Sequence, residues 1–339
     1  MNKDDPLDKT VELGAELTES GLSLKAKGRF FAAIDRLGGN VVDRLNIALE
    51  RKQIPERAEI EGQRRLIEAM ADHAIDRMKT DPDFADRAAA NWLRTMGQRQ
   101  ENKDGVVRHA IEDLKRDSRV EQDDVDAELD PLFLNKIERH AEDASTEELR
   151  ERWGRVLAAE VRKPGTITPR AMRIVDELDA STALLFEKFC ESRIDTSVPK
   201  CLSGELKFTE TARLVDAGLL IDPGMGQKMN YFEMTGSDGV AAWFARFGIF
   251  GVSIPRSAEI VSNGAKSTAP LAVGRKENEK PYSPVYVLTD AGEAIASILP
   301  LREEVALRHY ALAIKDVVGG APVRLFRKSG QAYTSFAVV

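Results

Sequence analysis

The sequence predicts a mainly α-helical protein: a helical bundle, then a winged-helix-like α+β domain, then a C-terminal helix and hairpin. Three observations carry this. Up to Cys201 apolar side chains recur three and four positions apart, and prolines stand where helices would begin. Aromatic residues make up only 6% of the 339-residue chain, low for a β-sandwich and ordinary for helices. Past Cys201 the texture changes to short helical and strand-like pieces. The implied division is 1–116, a region of long helices; 117–200, a bundle segment; 201–300, a winged-helix-like domain with an insertion; and 301–339, a helix and hairpin.

The first elements follow from periodicity and punctuation. Leu22, Phe30, Phe31, Ile34, Leu37, Val41, Leu45 and Leu49 trace one stripe, with a break expected at Gly38-Gly39. Leu66, Met70, Ala74 and Met78 trace a second, and Phe84, Ala88, Trp92 and Met96 a third. Residues 54–116 read as two long helices turning at Asp81-Pro82, where proline at a first helical position loses no hydrogen bond. The segment RQENKDG, 99–105, either continues the second helix or breaks it. Residues 117–130 are acidic and weakly periodic, a linker by pattern, and Asp130 caps the helix that follows.

The stretch 145–189 is the most regular in the chain. Ser145 and Glu148 fit a capping box, followed by Trp153, Val156, Leu157 and Val161 on one face. Pro164 and Gly165 stop that helix. Thr168-Pro169 opens the next, and Asp179 caps a third carrying Leu185, Phe186 and Phe189. Glu160 borders the apolar face. It reads either as an acid or ligand, or as a border carboxylate meeting Arg170 or Arg173; the second reading is preferred, because no second carboxylate or histidine stands at ligand spacing beside it.

Trp153, Leu157-Ala158-Ala159-Glu160, Pro164-Gly165, Thr168 and Asp179-Ala180, with the upstream Arg99-Gln100-Glu101-Asn102, resemble the hallmark pattern of the uncharacterised bacterial domain-of-unknown-function family 2806. The resemblance covers about residues 90–300. A similar Trp-x-x-Leu-Leu-Ala helix occurs in the abortive-infection alpha proteins, which implies a link to phage defence. The family has no activity to carry over.

In the second half, a helix from Thr209 ending at Gly218, the run GLLID, and a strand at 285–288 before Leu288-Thr289 are written as in many winged helices. The helix that would enter a DNA groove carries Glu210 and Asp216 against Arg213, too few cations to neutralise phosphates. Packing or protein contact is the favoured use. The insertion contains the most apolar stretch, 239–254, with Trp243, Phe247 and Phe250 as a candidate contact surface. Its length and Arg246 argue for burial over lipid. After Pro300, a helix with Val305, Leu312 and Ile314 on one side precedes a hairpin around Lys328-Ser329-Gly330.

Composition excludes more than it identifies. Net charge is −7, the wrong sign for coating duplex nucleic acid. Two cysteines, Cys190 and Cys201, without a CxxC, suit a reducing cytoplasm. No phosphate loop, dinucleotide fingerprint, zinc-protease motif or nucleophile elbow appears, so no catalytic residue, cofactor or metal is expected. Three readings stand: a non-enzymatic interaction protein with a protein partner or copies of itself, a winged-helix DNA-binding regulator, and a membrane-active effector using 239–254.

Overall fold

The computed structural model describes residues 24–37, 81–116, 127–224, 226–236, 239–261, 267–273, 280–300 and 302–339. The chain divides into two compact units, Met1–Gly165 and Thr166–Val339. The predicted partner helix before Asp81, the Gly38-Gly39 break and the stripe at Val41, Leu45 and Leu49 lie outside the described residues.

The first unit contains α1 (Leu24–Arg36), α2 (Pro82–Arg116), α3 (Pro131–Asp143) and α4 (Glu147–Arg162). Segment 99–105 continues the helix: α2 runs unbroken for 35 residues. Hydrogen bonds from Gln98 to Asn102 (3.1 Å) and from Gln100 to Asp104 (2.8 Å) brace it at i,i+4 spacing. Its second half buries Val106, Val107, Ala110, Ile111 and Leu114. Gly154 on α4 permits the close approach of the two helices. A Cβ there would lie 2.6 Å from His109 Cβ and 2.9 Å from the Val106 carbonyl oxygen. The cap of α4 is Thr146, one residue later than expected: its hydroxyl accepts from the Leu149 amide at 3.3 Å. Ser145 is committed to the preceding turn, its amide donating to the Asp143 carbonyl.

The second unit overturns the mainly-α expectation. Beside α5 (Pro169–Glu177), α6 (Ala180–Cys190), α7 (Lys200–Ser203), α8 (Phe208–Asp216), α9 (Asp290–Ala296) and α10 (Glu303–Val317), it holds two antiparallel sheets. The smaller has three strands in the order β1 (Ser197–Pro199), β6 (Tyr282–Val287), β2 (Gln227–Asn230). The larger has five: β3 (Phe232–Thr235), β4 (Ala241–Phe247), β5 (Phe250–Pro255), β7 (Arg324–Ser329) and β8 (Ala332–Val338). The fold is therefore mixed α+β. The supposed insertion at 239–254 is the β4–β5 hairpin, and the C-terminal hairpin is no appendage, since β7 pairs directly with β5. Alternation is hard to see here because β4 buries apolar side chains on both faces: Ala245 and Phe247 on one side and Phe244 on the other.

α10 packs on one face of the five-stranded sheet. Phe247, Phe250, Val252, Ile254 and Leu325 meet Ala306, Leu307, Tyr310, Ala311 and Ile314. The helix is rotated from the expected face, leaving Val305 (54% exposed) and Leu312 (50%) outside. Small Ala306 and Ala311 beside Tyr310 let the helix sit close on the strands. Tyr231 alone separates β2 from β3, and its buried hydroxyl lies 2.9 Å from that of Tyr310. Tyr310 in turn meets Ser283 Oγ on β6 at 2.5 Å, and Ser283 donates to the Pro270 carbonyl at 2.6 Å.

Candidate functional site

In the first unit Asn102 of the recognised pattern is 2% exposed and gathers polar partners from two other helices. Its Nδ2 donates to the Glu142 carbonyl at the end of α3 (2.7 Å), and its Oδ1 accepts from Arg150 on α4 (2.8 Å). One buried amide thus joins three helices. Arg150 also donates to the Ala144 carbonyl at 3.1 Å, satisfying the α3–α4 turn. Arg99 and Lys103 both reach Glu142, each at 3.5 Å. Glu147 takes a 2.9 Å contact from His109 Nε2 and a 2.6 Å bond from Arg108. The His109 hydrogen bond first, then Arg108 and Arg150, lower the Glu147 pKa.

Trp153 is buried and stacks on His140, with ring centroids 4.0 Å apart. Leu157 is wholly buried beside it. Glu160 is also buried, and its carboxylate accepts from the Gly165 amide at 2.6 Å. Pro164 turns the chain and Gly165 takes a φ of +84°, so the amide points back at the carboxylate. Glu160 closes its own helix end, a role that neither sequence reading contained.

In the second unit Thr168 accepts from the Ala171 amide at 3.2 Å and Asp179 from the Thr182 amide at 3.0 Å. Hydroxyls of Ser181 and Thr182 also donate to Asp179, and together the three bonds hold its carboxyl far below the usual carboxylate range. Asp179, Arg170, Arg173, Arg213, Glu177 and Asp216 line an open groove of about 480 Å³, with cations and carboxylates in equal number. Arg213, the one cation of α8, donates to Ser181 at 3.2 Å. Phe247 and Phe250 lie in the core beneath α10, and Trp243 is half-buried with the Arg256 guanidinium 5.6 Å from its ring. Burial pushes the thiols of Cys190 and Cys201 up to about 12. Neither is a nucleophile near neutral pH.

Asn102, Glu160, Thr168 and Asp179 thus spend themselves on helix ends and helix–helix ties. Residues 86–201 match the family model described as "Protein of unknown function (DUF2806)". The matched segment runs from the second turn of α2 into α7, and so holds Asn102, Trp153, Glu160, Thr168 and Asp179. It ends well short of residue 300, so the five-stranded sheet lies beyond it. No curated protein and no solved structure matches the chain. Sequence reasoning passed over Asn102 as a hub and Gly154 as a contact point. The spacing of Asn102 from Gln98 was the available signal for the first.

Proposed function

We propose that the chain is a non-enzymatic interaction protein that works as an assembly of its own copies, joined through the first half of α2. The observation that carries this reading is the apolar surface there: Trp92 is 62% exposed, Leu93 63% and Met96 37%. A large aromatic left this open is what a contact surface offers. Copies of the same helix suit each other. In an antiparallel pair centred at the level of Ala90, Phe84 stands level with Met96, Ala88 with Trp92, and Asp81 with Arg99 at each end. The small Ala88 receives the large Trp92, and unlike charges meet at the rims, which is the self-complementarity a two-fold interface requires. Asn102, Glu160, Thr168 and Asp179, bound up in caps and ties, support a scaffold over a reaction centre.

The likeness of the Trp153 helix to abortive-infection alpha proteins supports phage defence as the setting. Burial of Phe247 and Phe250 removes the surface on which the membrane reading rested, and the tie of Arg213 to Ser181 takes a cation from the DNA reading. Among the described residues no helix is long and apolar enough to cross a membrane. Light scattering after size exclusion tests the assembly. The wild-type chain is expected to elute as a dimer or larger and Trp92→Ser as a smaller species with unchanged circular dichroism. A monomeric wild type at about 100 μM, a concentration at which an interface of micromolar Kd would be almost fully paired, refutes the reading.

A further inference from the structure

The open groove of the second unit takes its charges from three elements. α5 supplies Arg170, Arg173 and Glu177, α8 supplies Arg213 and Asp216, and Asp179 caps α6. One charge of each sign is already engaged. Asp179 accepts hydrogen bonds from Ser181 and Thr182, and Arg213 donates to Ser181 at 3.2 Å. The other four, Arg170, Arg173, Glu177 and Asp216, are exposed, and their side chains make no hydrogen bond or ion pair among the described residues. On α4 and α10, charges one turn apart close on each other, Glu151 with Arg155 at 2.5 Å and Glu304 with Arg308 at 3.0 Å. Arg173 and Glu177 have the same spacing and stay apart. Their order, cation before carboxylate, is the weaker one on a helix, so both groups remain available to a ligand.

Arg170, Arg173 and Glu177 stand at i, i+3 and i+7, one stripe of α5 that is cationic in its first half and anionic in its last turn, over about 10 Å. Arg170 reaches to the end of α8, where Gly218 makes room for it: a Cβ there would lie 3.3 Å from Arg170 Nη2 and 3.4 Å from Ile174 Cδ1. Buried Ile174 and half-buried Leu178 and Ala217 give the groove its apolar lining. A simple anion here would meet Glu177 and Asp216 as well as the arginines, and a simple cation would meet the arginines. A ligand carrying both charges satisfies all four groups. Neighbouring guanidinium groups match a carboxylate, and carboxylates match an ammonium. An α-amino acid holds both charges on one carbon and adds a side chain for the apolar lining.

We propose that this groove binds a free α-amino acid with an apolar side chain, its carboxylate on Arg170 and Arg173, its ammonium on Glu177 and Asp216, and its side chain against Ile174, Leu178 and Ala217. The volume of about 480 Å³ is ample for leucine or phenylalanine. The groove shares no residue with the apolar surface of α2. The test is isothermal titration calorimetry of the full chain with L-leucine, L-methionine and L-phenylalanine. The controls are the amide of each, which lacks the carboxylate, the N-acetyl derivative of each, which lacks the ammonium, and inorganic phosphate. At least one of the three amino acids is expected to bind with a Kd of about 1 mM or tighter, and its two derivatives at least about tenfold more weakly. Arg173→Gln should weaken that binding about tenfold or more and shrink the preference over the amide, leaving the preference over the N-acetyl derivative. Glu177→Gln should do the converse. Circular dichroism checks that both exposed substitutions leave the fold intact, and if Arg173→Gln does not fold, Glu177→Gln with the N-acetyl derivative decides. Four results overturn the proposal: no binding of any of the three at about 10 mM, a derivative that binds as tightly as its amino acid, phosphate bound in place of the amino acids, which marks a plain anion site, or variants that bind as the wild type does.

Discussion

Gly154→Ala should separate the two principal helices of the first unit. In an isolated helix the change is favourable by about 1 kcal/mol, because alanine restricts the unfolded chain and suits the helix. Here the added methyl meets His109 Cβ at 2.6 Å and the Ala110 nitrogen and Val106 oxygen at 2.9 Å each. None of these atoms belongs to a flexible chain end, so no rotamer change relieves the contact. α4 must move off α2 by several tenths of an ångström, loosening Trp153, Val156 and Leu157 together. Overpacking of this kind costs about 1–3 kcal/mol. Gly97 on α2 is the control, because a Cβ there meets nothing within 4 Å. Gly97→Ala should therefore stabilise by about 0.5–1 kcal/mol. The two substitutions, identical in chemistry, should diverge by about 1–3 kcal/mol, since only one incurs the overpacking cost. That equals several degrees in melting temperature at about 2–4 °C per kcal/mol. Urea denaturation followed by far-ultraviolet circular dichroism measures both. A midpoint for Gly154→Ala equal to or above that of Gly97→Ala would show that the helices are not in backbone contact at this point.

Trp153→Ala should cost about 3–5 kcal/mol, the range for a buried large aromatic, because the side chain is 2% exposed and stacked on His140; a melting point within a degree or two of the wild type would contradict its burial. Cys190 and Cys201, with thiols pushed up to about 12 by burial, should stay protonated and resist iodoacetamide at pH 8 in the native protein, then react promptly in denaturant. Rapid labelling of the native chain would show an exposed thiolate.

The helical half was legible because its rules are local. Proline at a first turn, an acceptor before it and apolar spacing of three and four do not depend on distant residues, and Asp130, Thr168 and Asp179 stand as caps where the sequence places them. Glu160 shows where locality stops: its partner is five residues away, but only the backbone path through Pro164 and Gly165 aims that amide at it. The large sheet was obscured for a different reason. β5 and β7 are neighbours separated by β6 of the other sheet, two helices and more than sixty residues of chain, and no local pattern announces that pairing. The groove became visible only with the fold, since Arg170, Arg173 and Glu177 on α5 share it with Asp216 on α8, a long stretch of chain away.

The hydroxyl node of Tyr231, Tyr310 and Ser283 bears on how the second unit comes apart. Ser283 has one proton and gives it to the Pro270 carbonyl, so Tyr310 donates to Ser283 and Tyr231 to Tyr310, a single directed chain. Burial, the largest influence on both phenols, raises their pKa values and keeps them protonated, so the chain holds at any pH the fold survives. Its members come from the link between the two sheets, from β6 of the smaller sheet and from the helix on the larger. Opening any one of these elements strands a phenol or a hydroxyl in a dry interior, at a cost of about 1–3 kcal/mol for each group left unpaired. The two sheets are thereby coupled into one cooperative unit: neither can fray past Tyr231 without charging that cost to the other, and partial opening is confined to edges far from the node, such as β8.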